Sequence, residues 1–544
     1  MYYMNSVASL LVKHLKKWNI SHVFGIPGKP VVPLIIELDN QEIQFVLSKH
    51  ESGAGFEAAG YALAKDSLGV AVGTSGPGGT NMLTAAGQAK AYHLPVLFIT
   101  GHPTMQGTGR ALGQDSSVFG TDLVKMFESV TKFSVRVERG DLFPIYLKHA
   151  LEIAFSGKKG PVHLSIPSDV FTEQIDDFSI DLPVGHGMIS TELDNVVEAL
   201  NKAERPLLFL GKGVHSSRAY EEVEQLSNHL RIPVMTTPGG KGTFRSNHPL
   251  SLGAFGLGGT LESEQYVRDG VDVMVVLGSK LSDMSLAGFS EELYPKQVIH
   301  FDIDPTFIGK SLPIQTISVI GDLKLNLQAM LQKMNVDITQ EIFSCEIADN
   351  EDHTSECGEY VSASRAVKAM RSVLPVNTIL FGDDGSHSFY GIQNFDILEP
   401  GTFYFDDVFG TMGHAIGYSI GAKLANPDRP IVCLTGDGCT LMHGSEIMTA
   451  VNYNVPVIFV VFNNGRLDMV EKGMSRHAGK AVGVIYQQPL NVAMYASAMG
   501  ADSYRCVSEQ ELKDAIQLSL KANRTSVIEV MVDPEEVPPT MKRG

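Results

Sequence analysis

Short apolar runs punctuate the chain: FVLS, GVAVGTSG, PVLFIT, PVHLSI, PLLFLG, VMVVLG, VIHFDI, TILFG, IVCLTG, VIFVVF and SVIEVMV. They are rich in β-branched and aromatic residues, too short for helices, and too uniformly apolar to leave one face in water. Between them the apolar positions recur at helical spacing. Buried strands alternating with helices predict an α/β fold of doubly wound parallel sheets, covered on both faces. Two polar stretches without a period interrupt the alternation, FTEQIDDFSIDLPVGHGMIS and TQEIFSCEIADNEDHTSECGEY. As joints they divide the chain into three tandem domains of about 1–185, 186–345 and 358–544. No self-similarity at solenoid periods is visible.

At 544 residues and 44% hydrophobic composition the chain can bury several cores. A net charge of −18 excludes nucleic acid and anionic membrane as the main partner, and points to small molecules met in a pocket. The cysteines, Cys345, Cys357, Cys433, Cys439 and Cys506, are odd in number and lack metal-ligand spacing, which fits a reducing compartment. The start, MYYMNSVASLLVKHLKKWNISHVFGIPG, has no signal-peptide pattern, and no apolar run is long enough to span a bilayer. Cytoplasmic location is the expectation.

The densest chemistry lies in IVCLTGDGCTLMHGSEIMTAVNYNVPVIFVVFNNGRLDMV. One strand runs into Gly436-Asp437-Gly438 and the next ends at Asn463-Asn464. Ligands of open parallel sheets gather beyond the carboxyl ends of the strands, so both clusters belong to one crevice. Hard oxygen ligands there suit Mg²⁺ carrying phosphate, and the glycines admit phosphates close to backbone N–H groups. Alone, GDG reads as a tight turn and NN as a helix cap.

Together, with Asn464 following Asp437 by 27 positions, they resemble the thiamine-diphosphate signature of GDG followed by NN. The resemblance implies Mg²⁺ held by Asp437, Asn464 and the backbone carbonyl of Arg466. It implies Gly436, Gly438, Cys439, Ser386 and His387 around the diphosphate. In DDVFGTMGHAIGYSIGAKLA it implies a Gly410 carbonyl that accepts from the cofactor's amino group and a Met412 wedge under its bent rings, with Met469 touching the pyrimidine.

Upstream, Glu51 in LSKHESGAGFEAAGYALAK opens a helix, a place that the helix dipole alone would explain. With VFGIPG before it and GVAVGTSGPGGTN after it, the stretch resembles the pyrimidine-binding domain of the acetohydroxyacid (acetolactate) synthase group. By that resemblance Glu51 shares a proton with the aminopyrimidine N1′, and Gln114 lies near substrate. GTSGPGGTN lacks the Lys-Ser/Thr of a phosphate loop and is expected to line the cleft without phosphate. The group also implies a homodimer or homotetramer with active sites between chains. In the middle domain some relatives hold FAD and some ADP. GSKLSDMSLAGF stands where an arginine-rich stretch would favour flavin, so an empty or vestigial site is expected.

The implied activity is decarboxylation of a 2-oxo acid, pyruvate, and addition of the acyl unit to a second carbonyl compound. Another acyl-anion enzyme (lyase, oxidase or specialised carboligase) and a non-catalytic subunit are the alternatives. Three departures bear on the choice: Lys29, expected to select a substrate carboxylate, Gly113 before Gln114, and Asp468 in place of a glycine.

Overall fold

The computed structural model describes residues 5–185, 187–334 and 359–540. Three six-stranded sheets, parallel throughout, follow one another along the chain. In the first, the order across the sheet is Gln44–Leu47, His22–Gly25, Gly69–Gly73, Val96–His102, Val162–Pro167, Phe133–Arg136. In the third it is Phe403–Phe405, Ile379–Gly382, Ile431–Gly436, Val457–Asn463, Ser526–Met531, Asp502–Cys506. Counted within each sheet, both run 2-1-3-4-6-5. The middle sheet, Ser251–Ala254, Val234–Thr236, Leu207–Leu210, Val273–Leu277, Gln297–Asp302, Thr316–Ile320, runs 3-2-1-4-5-6.

All eleven apolar runs are strands. Central ones such as Ile431–Gly436 are buried along their whole length, as a strand with helices on both faces must be. Among the described residues no helix is long and apolar enough to cross a membrane.

The first polar stretch is more than a joint. Gln174–Ile175 pairs antiparallel with Asn5–Ser6, and the following residues strap helix Val7–Lys17. Trp18 Nε1 donates to the Ile180 carbonyl at 2.9 Å, and Lys13 meets Asp177 at 2.5 Å. Its polar look reflects a backbone bonded to side chains instead of to a sheet. The second stretch lies almost wholly outside the described residues.

The first and third sheets share one hydrophobic core, because helix Glu51–Lys65 crosses helix His414–Ala425 at backbone distance. A Cβ on Gly421 would overlap the Glu57 carbonyl, and one on Gly60 would overlap the Tyr418 backbone. Glu446, fully buried, ties the same interface from the third domain. Its carboxylate accepts from His50 N at 2.8 Å, Lys49 N at 3.0 Å and Thr449 Oγ1 at 2.7 Å. The turn that leads into Glu51 is thereby held by a third-domain side chain.

Alanine at Gly421 should therefore cost stability, by about 1–3 kcal/mol for an overpacked contact. Gly473, in helix Asp468–Ala478 with open space around it, is the control, where alanine should be neutral or gain up to ~1 kcal/mol. Calorimetric melting decides. A Gly421→Ala protein that melts with the wild type would remove the close crossing as a constraint.

Candidate functional site

At the carboxyl end of the third sheet a cleft of about 120 Å³ opens beside the point where strands Ile379–Gly382 and Ile431–Gly436 run adjacent. Ser386, His387, Met412, Gly436, Asp437, Gly438, Cys439, Asn464, Arg466 and Met469, expected from separate parts of the sequence, all line it. Asp437 begins helix Asp437–His443 directly after its strand. Its Oδ1 accepts from Gly438 N at 2.7 Å and its Oδ2 from Gly465 N at 2.8 Å, which ties the GDG turn to the NNG turn. Burial pushes this carboxyl up to about 6, against the pull of the backbone N–H groups of Gly438, Gly465, Arg466 and Asn464.

The two asparagines divide their work. Asn463 turns into the sheet, donating to Glu529 Oε1 at 2.6 Å and to the Leu490 carbonyl at 2.8 Å. Asn464 lines the cleft. Gly465, at φ +72°, makes the turn between strand and helix.

The cleft also holds His387 Nε2 and Arg466 Nε, buried without a hydrogen-bond partner among the described residues, while Ser386 and Asp468 face each other across it. Burial lowers His387 to about 4, so its ring is neutral near pH 7. Unpaired buried donors and acceptors are costly unless a ligand or water satisfies them. A Cβ on Gly436 would press on the His387 ring, and one on Gly438 would reach Leu467, Met412 and Tyr486. A cradle of small residues, unpartnered polar groups and a buried carboxylate therefore fits a metal-bound diphosphate. Cys439 donates from Sγ to the Asp384 carbonyl at 3.2 Å, and burial holds the thiol protonated. Gly410 lies just outside the lining, beside Asp384, and follows Phe409 in a turn where both have positive φ.

No residue of the first domain lines this cleft. The first-domain candidates gather instead around the turn GTSGPGGTN. Glu51 is buried and its Oε2 accepts from Asn81 Nδ2 at 2.9 Å. Gln114, exposed, packs its backbone and Cβ by Gly76, and its carbonyl accepts from Ser75 Oγ at 3.5 Å. Lys29, exposed on the short turn Lys29–Val31, follows Gly28, which rests on Thr74. Gly113 is exposed with nothing near it. Of the three departures, Asp468 alone enters the third-domain cleft.

Asn81 escaped the sequence reading, although it closes the glycine-rich turn. Besides holding Glu51, its carbonyl accepts from Ser52 Oγ at 2.5 Å. Asp383 and His414 also escaped it. They sit behind the cleft as a buried pair 3.2 Å apart.

A second and larger cavity, about 760 Å³, opens at the carboxyl ends of the middle sheet. It lies where strands Leu207–Leu210 and Val273–Leu277 are neighbours and the strand order reverses. Lys158, Lys159, Lys212 and Lys280 line it, with Asp302. Burial, with Lys212 and Lys158 nearby, lowers Lys280 to about 8.

Three family models match the chain in succession: the N-terminal binding domain of thiamine pyrophosphate enzymes over 5–125, their central domain over 193–330, and their C-terminal binding domain over 383–530. A probable acetolactate synthase large subunit of Methanocaldococcus jannaschii is 30% identical, over 99% of this chain and 93% of its own. The acetolactate synthase isozyme 1 large subunit of Escherichia coli K12 is 28% identical, over 97% and 94% respectively. An acetolactate synthase large subunit of Corynebacterium glutamicum is 28% identical, over 96% and 86%. With these matches spanning the three sheets, the chain belongs to the thiamine-diphosphate-dependent enzymes, in their acetolactate synthase-like group.

Proposed function

We propose that the protein is a carboligase that releases CO₂ from a 2-oxo acid, pyruvate, and joins the remaining acyl unit to a second carbonyl compound. The observation that carries this reading is the third-domain cleft, where the buried Asp437 bridges two glycine turns among unpartnered polar groups. Asp437, Asn464 and the Arg466 carbonyl would hold Mg²⁺, a hard cation that keeps phosphate oxygens for its remaining positions. Ser386, His387, Gly436, Gly438 and Cys439 would hold the diphosphate, with Gly410, Met412 and Met469 at the pyrimidine end. Thiamine diphosphate, when bound, supplies the electron sink that lets the bond to CO₂ break.

Glu51 would share a proton with the pyrimidine N1′ of the bound cofactor. The Asn81 amide donates to Oε2, so the shared proton belongs on Oε1. Lys29 and Gln114 stand by the same turn, where Lys29 would draw the substrate's carboxylate. The carboxyl of Asp468 inside the cleft favours a second reading, in which the same decarboxylation feeds a different carbonyl acceptor.

No described first-domain residue lines the cleft, which supports a working site in which Glu51 comes from a second copy. The cleft is smaller than the roughly 300 Å³ at which small-molecule sites begin. Exposed apolar side chains on both halves, Leu441, Met442 and Met448 on one, Leu112, Val118 and Phe119 on the other, support a homodimer or homotetramer closing over it.

For the middle domain, four lysines around a 760 Å³ cavity at a sheet's switch point support a phosphate-bearing nucleotide over an empty or vestigial site. Its lining contains no arginine.

Purified protein given ThDP, Mg²⁺ and a panel of 2-oxo acids should release CO₂ fastest from pyruvate and yield a product of its acyl unit plus a carbonyl acceptor by mass. CO₂ release with an aldehyde as the sole product would move the enzyme out of the carboligases.

Glu51→Gln should bind ThDP and lose turnover by roughly 10²–10⁴-fold, the scale of a lost proton relay. Co-expressed with Asp437→Ala, it should regain activity, because a mixed dimer with shared sites keeps one site intact. Two dead variants that stay dead in mixture would place each site within a single chain.

Heat-released supernatant of the purified protein should absorb near 260 nm and stay colourless above 400 nm. A stoichiometric flavin spectrum would instead assign FAD to the cavity, and no released chromophore would leave it empty.

A further inference from the structure

Asp383, fully buried, follows strand Ile379–Gly382 and is hydrogen-bonded at both carboxylate oxygens. Its Oδ1 accepts from Gly413 N at 2.8 Å and from Asp384 N at 2.9 Å, with His414 Nδ1 at 3.2 Å. Its Oδ2 accepts from Thr435 Oγ1 at 2.8 Å. His414 Nδ1 also donates to the Thr411 carbonyl at 2.7 Å. Opposed charges stand behind this geometry: burial acts against His414, yet Asp383 lifts it to about 9. Asp406, Asp384, His387 and His443 are the other titratable groups that face the pair, and the rings of Phe56 and Tyr418 close it off.

A buried ion pair is a weak source of stability, since an apolar pair of the same volume does as well or better. What this one joins is more telling. Its hydrogen bonds reach three segments, 383–387, 410–414 and 435–439, and each contributes residues to the cleft. Met412 lies between the two bonded neighbours: the carbonyl before it accepts from His414, and the N–H after it donates to Asp383. The backbone of Met412 is therefore clamped on both sides. His414 is also the first residue of the helix that occupies, in the third sheet, the place of the Glu51 helix in the first.

We propose that Asp383 and His414 are positioning residues whose hydrogen bonds fix the Met412 segment against the GDG turn, so that cofactor affinity depends on the pair more than folding does. The proposal rests on the reading of this cleft as the cofactor site, and Asp437→Ala is the control for that reading.

The test is calorimetric titration of ThDP with Mg²⁺, alongside melting of the cofactor-free protein, for Asp383→Asn/His414→Phe and for His414→Asn. The double variant removes both charges together and should melt close to wild type. It should bind ThDP roughly tenfold more weakly, the scale of one or two lost hydrogen bonds. His414→Asn keeps an N–H donor where Nδ1 stood, and should retain affinity within about threefold. Wild-type affinity in the double variant would overturn the proposal, as would equal losses in both variants. A loss of affinity matched by an equally large loss of cofactor-free stability would do the same, since that marks a purely structural pair. If Asp437→Ala also binds ThDP unchanged, the cofactor reading itself has failed.

Discussion

Backbone contact between helix Glu51–Lys65 and helix His414–Ala425 is the constraint on which the arrangement rests. Glycines at 60, 417 and 421 remove the side chains that would hold the axes apart, so the two helices share one core instead of meeting across a polar interface. The cost is conformational, because glycine inside a helix surrenders more freedom on folding than alanine does. The return is positional. One helix begins at Glu51 and the other at His414, and the rigid crossing sets both. Glu446 strengthens the link by accepting from the N–H groups just ahead of Glu51.

One rule of parallel sheets then accounts for where the functional groups lie. Ligands settle beyond the strand ends where the strand order reverses. In the third sheet that point lies between Ile379–Gly382 and Ile431–Gly436, and the cleft is lined by the residues that follow both strands. In the middle sheet it lies between Leu207–Leu210 and Val273–Leu277, where the larger cavity opens. In the first it lies between His22–Gly25 and Gly69–Gly73, whose following turns carry Lys29 and Thr74. The larger cavity shares no lining residue with the cleft around Asp437.

The legible part of this fold was the part with uniform burial. Central strands such as Val457–Asn463 are apolar throughout and could be read directly. Edge strands were harder, since Thr316–Ile320, Ser251–Ala254 and Asp502–Cys506 are only partly buried, and their polar residues break the apolar run. The shared strand order of the first and third sheets was not legible either, because order is set by pairing across long separations. At the site, Asp437 and Asn464 could be found because spacing between two strand ends is itself information. Asn81, Asp383 and His414 carry no such spacing. An Asn after glycines caps turns in many proteins, and a histidine at a helix start looks like any other until the carboxylate that holds it is in view.

Burial acts on Glu57, Asp406, Asp437 and Asp383 to favour the neutral form, and the partners decide how far each one goes. Glu57, inside the helix crossing, rises well above the carboxylate range through burial and then through Glu446 beside it. Asp406 has Lys212 and His414 nearby to oppose burial and still reaches about 7. Asp437 has only backbone N–H groups and sits at about 6. Asp383, as deeply buried as any of them, is held below the ordinary range despite burial, because His414 and Thr435 both donate to it. Of these four, the carboxylate that the donors overcome burial for is thus the one behind the Met412 segment. Asp437, in contrast, keeps its charge uncompensated by any side chain in the cleft, which is the condition under which a cation from solution is the stabilising partner.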